Sequence, residues 1–156
     1  MKYGKLALLL FIGLTACRRE ATVPFVPDRI TSAAPSRLNM VLYLSSCTPC
    51  ASLTFDGAAA FVRKNPQVSQ LVVVVNRNAA RAEDLFRERV EGVKEVSFIR
   101  DTDGNIARAA TVPSLPFLVI YDDHRHLLRA EAIAASDAAR ACLHDEITAL
   151  FTIPVS

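Results

Sequence analysis

Two cysteines stand three positions apart in the run Ser45-Ser46-Cys47-Thr48-Pro49-Cys50. That spacing suits two kinds of chemistry. The pair can close a short disulfide and exchange it with another thiol, the first sulfur attacking as a thiolate and the second resolving the mixed disulfide. It can instead supply two ligands of a zinc site, which then needs two more. The histidines that could complete such a site are His124 and His126. They fall in Asp122-Asp123-His124-Arg125-His126, which reads as a solvated hairpin turn, so no metal and no other cofactor is expected. A purely structural disulfide is the plain alternative to a reactive one. Of the other cysteines, Cys142 shares an apolar helical face with Ala139, Leu143 and Ile147 and reads as a small buried hydrophobe. Cys17 closes an N-terminal leader.

The elements around the pair give its spacing meaning. Residues 40–44 and 71–75 are continuous apolar runs, the pattern of strands buried on both faces of a parallel sheet. Between them Leu53, Gly57, Ala60 and Phe61 recur at helical spacing. Arg63-Lys64-Asn65-Pro66 then ends the helix with cations, a capping Asn and a stopping proline. The cysteines therefore fall where a first strand gives way to a first helix. Unpaired backbone N–H groups and the helix dipole favour a thiolate at Cys47, while Cys50 lies one turn inward and is less exposed.

A second helix is expected over residues 79–91, with Glu83 and Asp84 early, Leu85, Phe86 and Val90 on its apolar side, and Gly92 closing it. Residues 96–99 read as a short strand, Asp101-Thr102-Asp103-Gly104 as a turn, and residues 105–110 as one or two helical turns. Strands at 117–121 and 126–130 follow, joined as a hairpin through residues 122–125. Ser136 caps a last helix whose Ala139, Cys142, Leu143, Ile147, Leu150 and Phe151 make one face. This order gives an α/β fold with a mixed central sheet, parallel at its start and antiparallel at its finish, flanked by helices.

A chain of 156 residues with 51% hydrophobic content must bury a core, which excludes a disordered tail or a fibrous repeat. Its formal net charge of +2 resides in Lys2 and Lys5 of the leader, and the remainder is neutral. With no Trp and no basic stripe interleaved with aromatics, nucleic acid is not an expected partner. The leader has a basic start, an apolar run from Leu6 and small residues before Cys17. It is too short for a stable membrane span. Leu14-Thr15-Ala16-Cys17 resembles the bacterial lipoprotein lipobox, which implies cleavage before Cys17 and lipidation on its thiol. Residues 1–16 are then the signal peptide and residues 17–38, polar and broken by Pro24, Pro27 and Pro35, a flexible tether. Residues 39–156 form the folded domain.

Residues 38–151 resemble the thioredoxin superfamily. Cys47-Thr48-Pro49-Cys50 fits its Cys-x-Pro-Cys site, and Ser114-Leu115-Pro116-Phe117-Leu118-Val119-Ile120 fits the loop and strand that carry its cis-proline. The extra strand at 96–99 with the turn after it is similar to the insertion of the TlpA and ResA branch, tethered periplasmic thiol-disulfide oxidoreductases. The resemblance implies Cys47 as nucleophile, Cys50 as resolving thiol, Thr48 and Pro49 as the active-site loop, and Leu115 and Pro116 as substrate-binding residues. Leu115-Pro116 should be cis and Val112-Pro113 trans. Implied partners are protein thiols or disulfides, a redox partner protein, and a membrane reached through the lipid on Cys17. The implied location is the periplasmic side of a bacterial membrane, with Arg18 after the lipidated cysteine favouring the outer one. The chain departs from the family at Ser46, where a Trp is common, at Val41, where a buried acid is common, and at Leu53, where the ResA type has a glutamate. Those departures keep open a non-catalytic binding lipoprotein with a structural disulfide. A copper-handling relative is a further alternative.

Overall fold

The computed structural model describes residues 23–30, 36–46 and 48–133, with Arg29, Thr48 and Cys50 described by backbone alone. The leader, Cys17, Cys47, Cys142 and the expected last helix lie outside the described residues. The apolar runs form strands β1 (Leu38–Leu44) and β2 (Ser69–Asn76), joined by helix α1 (Thr48–Lys64). Helix α2 (Ala80–Arg89) leads to β3 (Val96–Asp101), and the short α3 (Asn105–Ala109) precedes the hairpin of β4 (Phe117–Asp122) and β5 (Leu127–Ala132).

These strands make one five-stranded sheet in the order β3-β2-β1-β4-β5. β1, β2 and β3 run parallel, whereas β4 is antiparallel to β1 and to β5. The parallel start and antiparallel finish follow from connection length: a crossover helix is needed to return a parallel strand, and a tight turn suffices for β4 and β5. Side chains alternate across the sheet. Met40, Leu42 and Leu44 of β1, with Leu71, Val73 and Val75 of β2, pack under α1 and α2. Val41, Tyr43, Val72 and Val74 face Ile106 and Ala110 at α3. Both sheet faces are thus covered, which is why the central strands read as unbroken apolar runs.

The helix segments bury Phe61, Phe86 and Val90 as expected but turn Leu53 and Leu85 outward. On α1 the buried stripe is Ala51, Phe55, Ala58 and Val62, while Leu53 is 44% exposed. Of the expected Leu53, Gly57, Ala60 and Phe61, only Phe61 is buried, because Phe55 stacks on Phe86 of α2 at 4.3 Å and fixes the rotation. On α2, Ala82, Glu83 and Phe86 point inward, and Leu85 is exposed. A 3-10 turn at Arg77–Ala79, capped by the Asn76 side chain, comes before α2 and takes up Ala79, the residue expected to begin it.

Residues 23–30 fall within the span expected to be tether, yet they pack onto the α3 side of the sheet. Val23, Val26 and Ile30 are buried there. The Tyr43 hydroxyl donates to the Phe25 carbonyl at 2.7 Å, and the Phe25 ring meets Phe117 at 5.2 Å. Apolar residues among the prolines, rather than any regular period, secure this segment.

Candidate active site

β1, β2 and β3 deliver their C-terminal ends to one edge of the sheet, the edge where open α/β folds collect their functional groups. β1 ends at Leu44, Ser45 and Ser46 turn the chain, and α1 begins at Thr48. Pro49 occupies the first turn of α1, where a missing N–H costs no intrahelical bond. The Cys50 backbone is in the same turn. Arg63 and Lys64 stand in the last turn, where cations suit the helix dipole, and the first turn holds no acidic residue. Cys47 precedes this helix in sequence.

The antiparallel register pairs Phe117 with Tyr43. Pro116 is therefore carried to the end of β1 that leads into Ser45, Ser46 and α1. The Leu115-Pro116 bond is cis and Val112-Pro113 is not, as expected. Pro116 is buried and its carbonyl accepts from the Ile133 N–H at 3.0 Å, which ties the loop to the chain leaving β5. Leu115 is half-buried, packed against the α3-side core.

Upstream of this loop, both carboxylate oxygens of Asp101 accept backbone N–H groups of α3, from Ile106 at 2.9 Å and Ala107 at 3.0 Å. Asp101 is 4% exposed. Its position at the end of β3 converts the Asp101-Thr102-Asp103-Gly104 turn into a helix cap, with Gly104 in the left-handed region at φ 67°.

Among the described residues, the positions where a base for Cys50 is expected supply none. Val41 is buried in the sheet, Leu53 is exposed, and Asp56 faces solvent with both oxygens 3.0 Å from the Arg89 Nη1. The sequence reading missed Glu83, which it took for an early helix charge. The structure buries Glu83 completely and binds it to Arg100 Nε at 2.8 Å and to Arg87 Nη2 at 2.7 Å. Burial pushes its carboxyl up, and the hydrogen bonds and charges of Arg100 and Arg87 outweigh that and hold it below its ordinary value. Glu83 and Arg100, with Val75, Asn76, Arg77, Ala80 and Thr102, line a cavity of about 260 Å³ on the same edge. The i,i+4 spacing of Glu83 and Arg87 was the one signal in the sequence.

His124 and His126 lie at the other end of the sheet. Leu38, the first residue of β1, pairs with Asp122, so the length of β1, roughly 20 Å, separates the hairpin turn from α1. The hairpin turn is thus remote from the first turn of α1, which carries the Cys50 backbone.

Solved structures of similar shape give this arrangement its context. A secreted Mycobacterium tuberculosis disulfide oxidoreductase homologous to Escherichia coli DsbE superposes with a TM-score of 0.56 at 16% identity, over 74% of this chain and 84% of that one. The chain has the thioredoxin-like fold. Mycobacterium tuberculosis DsbF gives 0.53 at 18% identity over 74% and 82% of the two chains, and a thioredoxin-like protein from Aeropyrum pernix gives 0.52 at 11% over 73% and 79%. No family model and no curated protein sequence matches the chain. Within the thioredoxin-like fold, the strand expected as an addition is β3 at the sheet edge, two residues longer than its apolar run because Arg100 and Asp101 stay in register with Val75 and Asn76.

Proposed function

We propose that this chain is a membrane-tethered, extracytoplasmic thiol-disulfide oxidoreductase of the TlpA and ResA type, acting on protein cysteines through Cys47 and Cys50. The observation that carries the reading is the meeting, at the end of β1, of the turn bearing Pro49 and Cys50 with the Leu115-Pro116 loop. A secreted relative in shape is a disulfide oxidoreductase.

The exchange runs in two steps. The Cys47 thiolate attacks one sulfur of a substrate disulfide; that S–S bond breaks, a Cys47–substrate bond forms, and the departing substrate sulfur takes a proton from solvent. Cys50 then loses its proton and attacks the Cys47 sulfur, forming the Cys47–Cys50 disulfide and releasing the second substrate thiol. Two electrons pass to the substrate, and the reverse sequence oxidises it. Val41 and Leu53 carry no carboxylate and Asp56 is held outward by Arg89, so the Cys50 proton leaves without a base at these positions. Thr48 and Pro49 shape the turn between the sulfurs, and Leu115 and Pro116 line the substrate groove as a short strand-addition edge.

Tethering is through lipid on Cys17, with residues 1–16 removed. As Val23 is packed on the body, the lead from Cys17 is short, at most about 20 Å. The domain then sits close to its membrane.

The test is a non-reducing gel of single-cysteine variants expressed in an oxidising compartment. Cys50→Ser should accumulate mixed disulfides through Cys47, because attack proceeds and resolution cannot, and Cys47→Ser should trap almost nothing. Equal trapping by both would overturn the division of roles. No trapping by either, with a disulfide that resists mild reductant, would favour the binding lipoprotein to which Ser46, Val41 and Leu53 lend support.

A further inference from the structure

The hairpin between β4 and β5 carries more chemistry than a turn needs. Its register is fixed by ordinary means. The Asp122 N–H donates to the His126 carbonyl at 3.1 Å, the Arg125 N–H donates to the Asp122 carbonyl at 3.2 Å, and Arg125 takes the left-handed conformation at φ 62°. One oxygen of Asp122 also accepts the His126 N–H at 2.7 Å. Those contacts close the turn, and none of them uses the Asp123 carboxylate or either imidazole.

The remaining side chains nevertheless converge. A carboxylate oxygen of Asp122, one of Asp123 and a ring nitrogen of His124 all lie within 4.8 Å of one another. Asp123 Oδ1 is 2.6 Å from His124 Nδ1, and Asp122 Oδ2 is 2.9 Å from His126 Nδ1. The two imidazoles stand nearly parallel, 9° apart in plane with centroids at 6.0 Å. Two of the chain's three histidines thus share one turn with two aspartates.

We propose that Asp122, Asp123 and His124 form a site for a divalent transition-metal ion, with water completing the coordination and His126 holding Asp122 in place. Four properties support this. Ligand atoms around a zinc-sized ion with bonds of about 2.0–2.2 Å stand about 3.3 Å apart, so atoms already within 4.8 Å need only small rotamer changes. The side chains that must move, His124 at 75% exposure and Asp123 at 41%, are free of the core. Two carboxylates balance a 2+ charge, and an imidazole beside them selects zinc, copper or nickel over magnesium and calcium, which prefer oxygen alone. Lastly, the bond from His126 to Asp122 repeats the usual support of a ligating group by an outer partner.

The site stands at the opposite end of β1 from the first turn of α1. It is open to solvent, which suits a labile ion exchanged with the surroundings more than a buried structural one. Bound metal would tie the end of β4 to the turn and protect the hairpin from opening.

The experiment is a titration of Zn²⁺ into the untagged full-length chain with its cysteines oxidised, followed by calorimetry and by the imidazole proton resonances. The parent should bind one Zn²⁺ at this turn, with the His124 and His126 signals shifting together. His124→Gln and Asp123→Asn, both at exposed positions that the turn's own hydrogen bonds do not use, should each weaken binding at least tenfold, and His126→Gln by about tenfold, with unchanged far-ultraviolet dichroism. The cysteines are common to every variant, so the difference reads this turn alone. Binding that is unchanged in His124→Gln and Asp123→Asn, or a parent that takes up no Zn²⁺, overturns the assignment.

Discussion

Replacing Phe55 by Leu tests how α1 is held against the rest of the domain. Phe55 lies five residues beyond Cys50, is fully buried, and stacks on the equally buried Phe86 of α2 at 4.3 Å with planes 24° apart. Phe98 of β3 approaches the same ring at 6.4 Å, and Arg87 covers Phe98 from outside at 4.4 Å. Phe55→Leu keeps an apolar side chain but loses part of the buried area, worth about 1 kcal/mol, and the ring pairing, worth about 0.5–1.5 kcal/mol. The expected loss is about 2 kcal/mol, which lowers a urea midpoint by roughly 1 M for a domain of this size. Phe86→Leu should cost a similar amount. In a double-mutant cycle the pair should be less than additive by about 1 kcal/mol, because the stacking is lost only once. A coupling below about 0.3 kcal/mol, the scatter of independent sites, would refute the claim that this stack sets the position of α1 on the sheet.

Three further outcomes follow from the same structure. Asp101→Ala removes both acceptors from the first turn of α3 and should destabilise the domain by about 2 kcal/mol in chemical denaturation, with Asp101→Asn losing less. For Glu83 the folded-state carboxyl lies below its ordinary 4.5, so the Arg87 and Arg100 network stabilises the fold above that pH and is lost as pH falls through the lower folded-state value. Glu83→Gln should flatten the decline in urea midpoint between about pH 5 and 3, and an unchanged decline would count against the network. Cys17→Ser should abolish incorporation of labelled acyl chains in a bacterial host, and a wild type that takes up no label would remove the lipoprotein reading.

The interior place of β1 and β2 was legible because Val72, Val73 and Val74, like Val41 and Leu42, are apolar on both faces, and only a doubly covered sheet needs that. The strand ends were not legible where polar residues extend them. Asn39 is 1% exposed inside β1, its amide bonded to the Ser36 and Asp122 carbonyls and its oxygen accepting from the Ser36 N–H and Gln70. Ser69 opens β2 with its hydroxyl on the Asn65 carbonyl at 2.7 Å. Such residues read as loop until their partners, distant in sequence, are known. Helix faces failed for a related reason: the choice between Leu53 and Phe55, or between Leu85 and Glu83, is made by what packs opposite. At the candidate site, the places of Pro49 and Pro116 were readable from motif and register, whereas the Asp122, Asp123 and His124 convergence depends on side-chain directions that spacing does not fix.

The central claim is that Cys47 and Cys50 form a working redox couple, and a glutathione titration of the full-length chain tests it most directly. Samples equilibrated across a range of reduced to oxidised glutathione are quenched by alkylation, and the fraction of Cys47–Cys50 disulfide is measured by mass. The account predicts one reversible two-electron transition, tenfold in its equilibrium for each ~30 mV, with a midpoint between roughly −270 and −120 mV. A disulfide that survives below about −300 mV, or a pair that never closes, would contradict it.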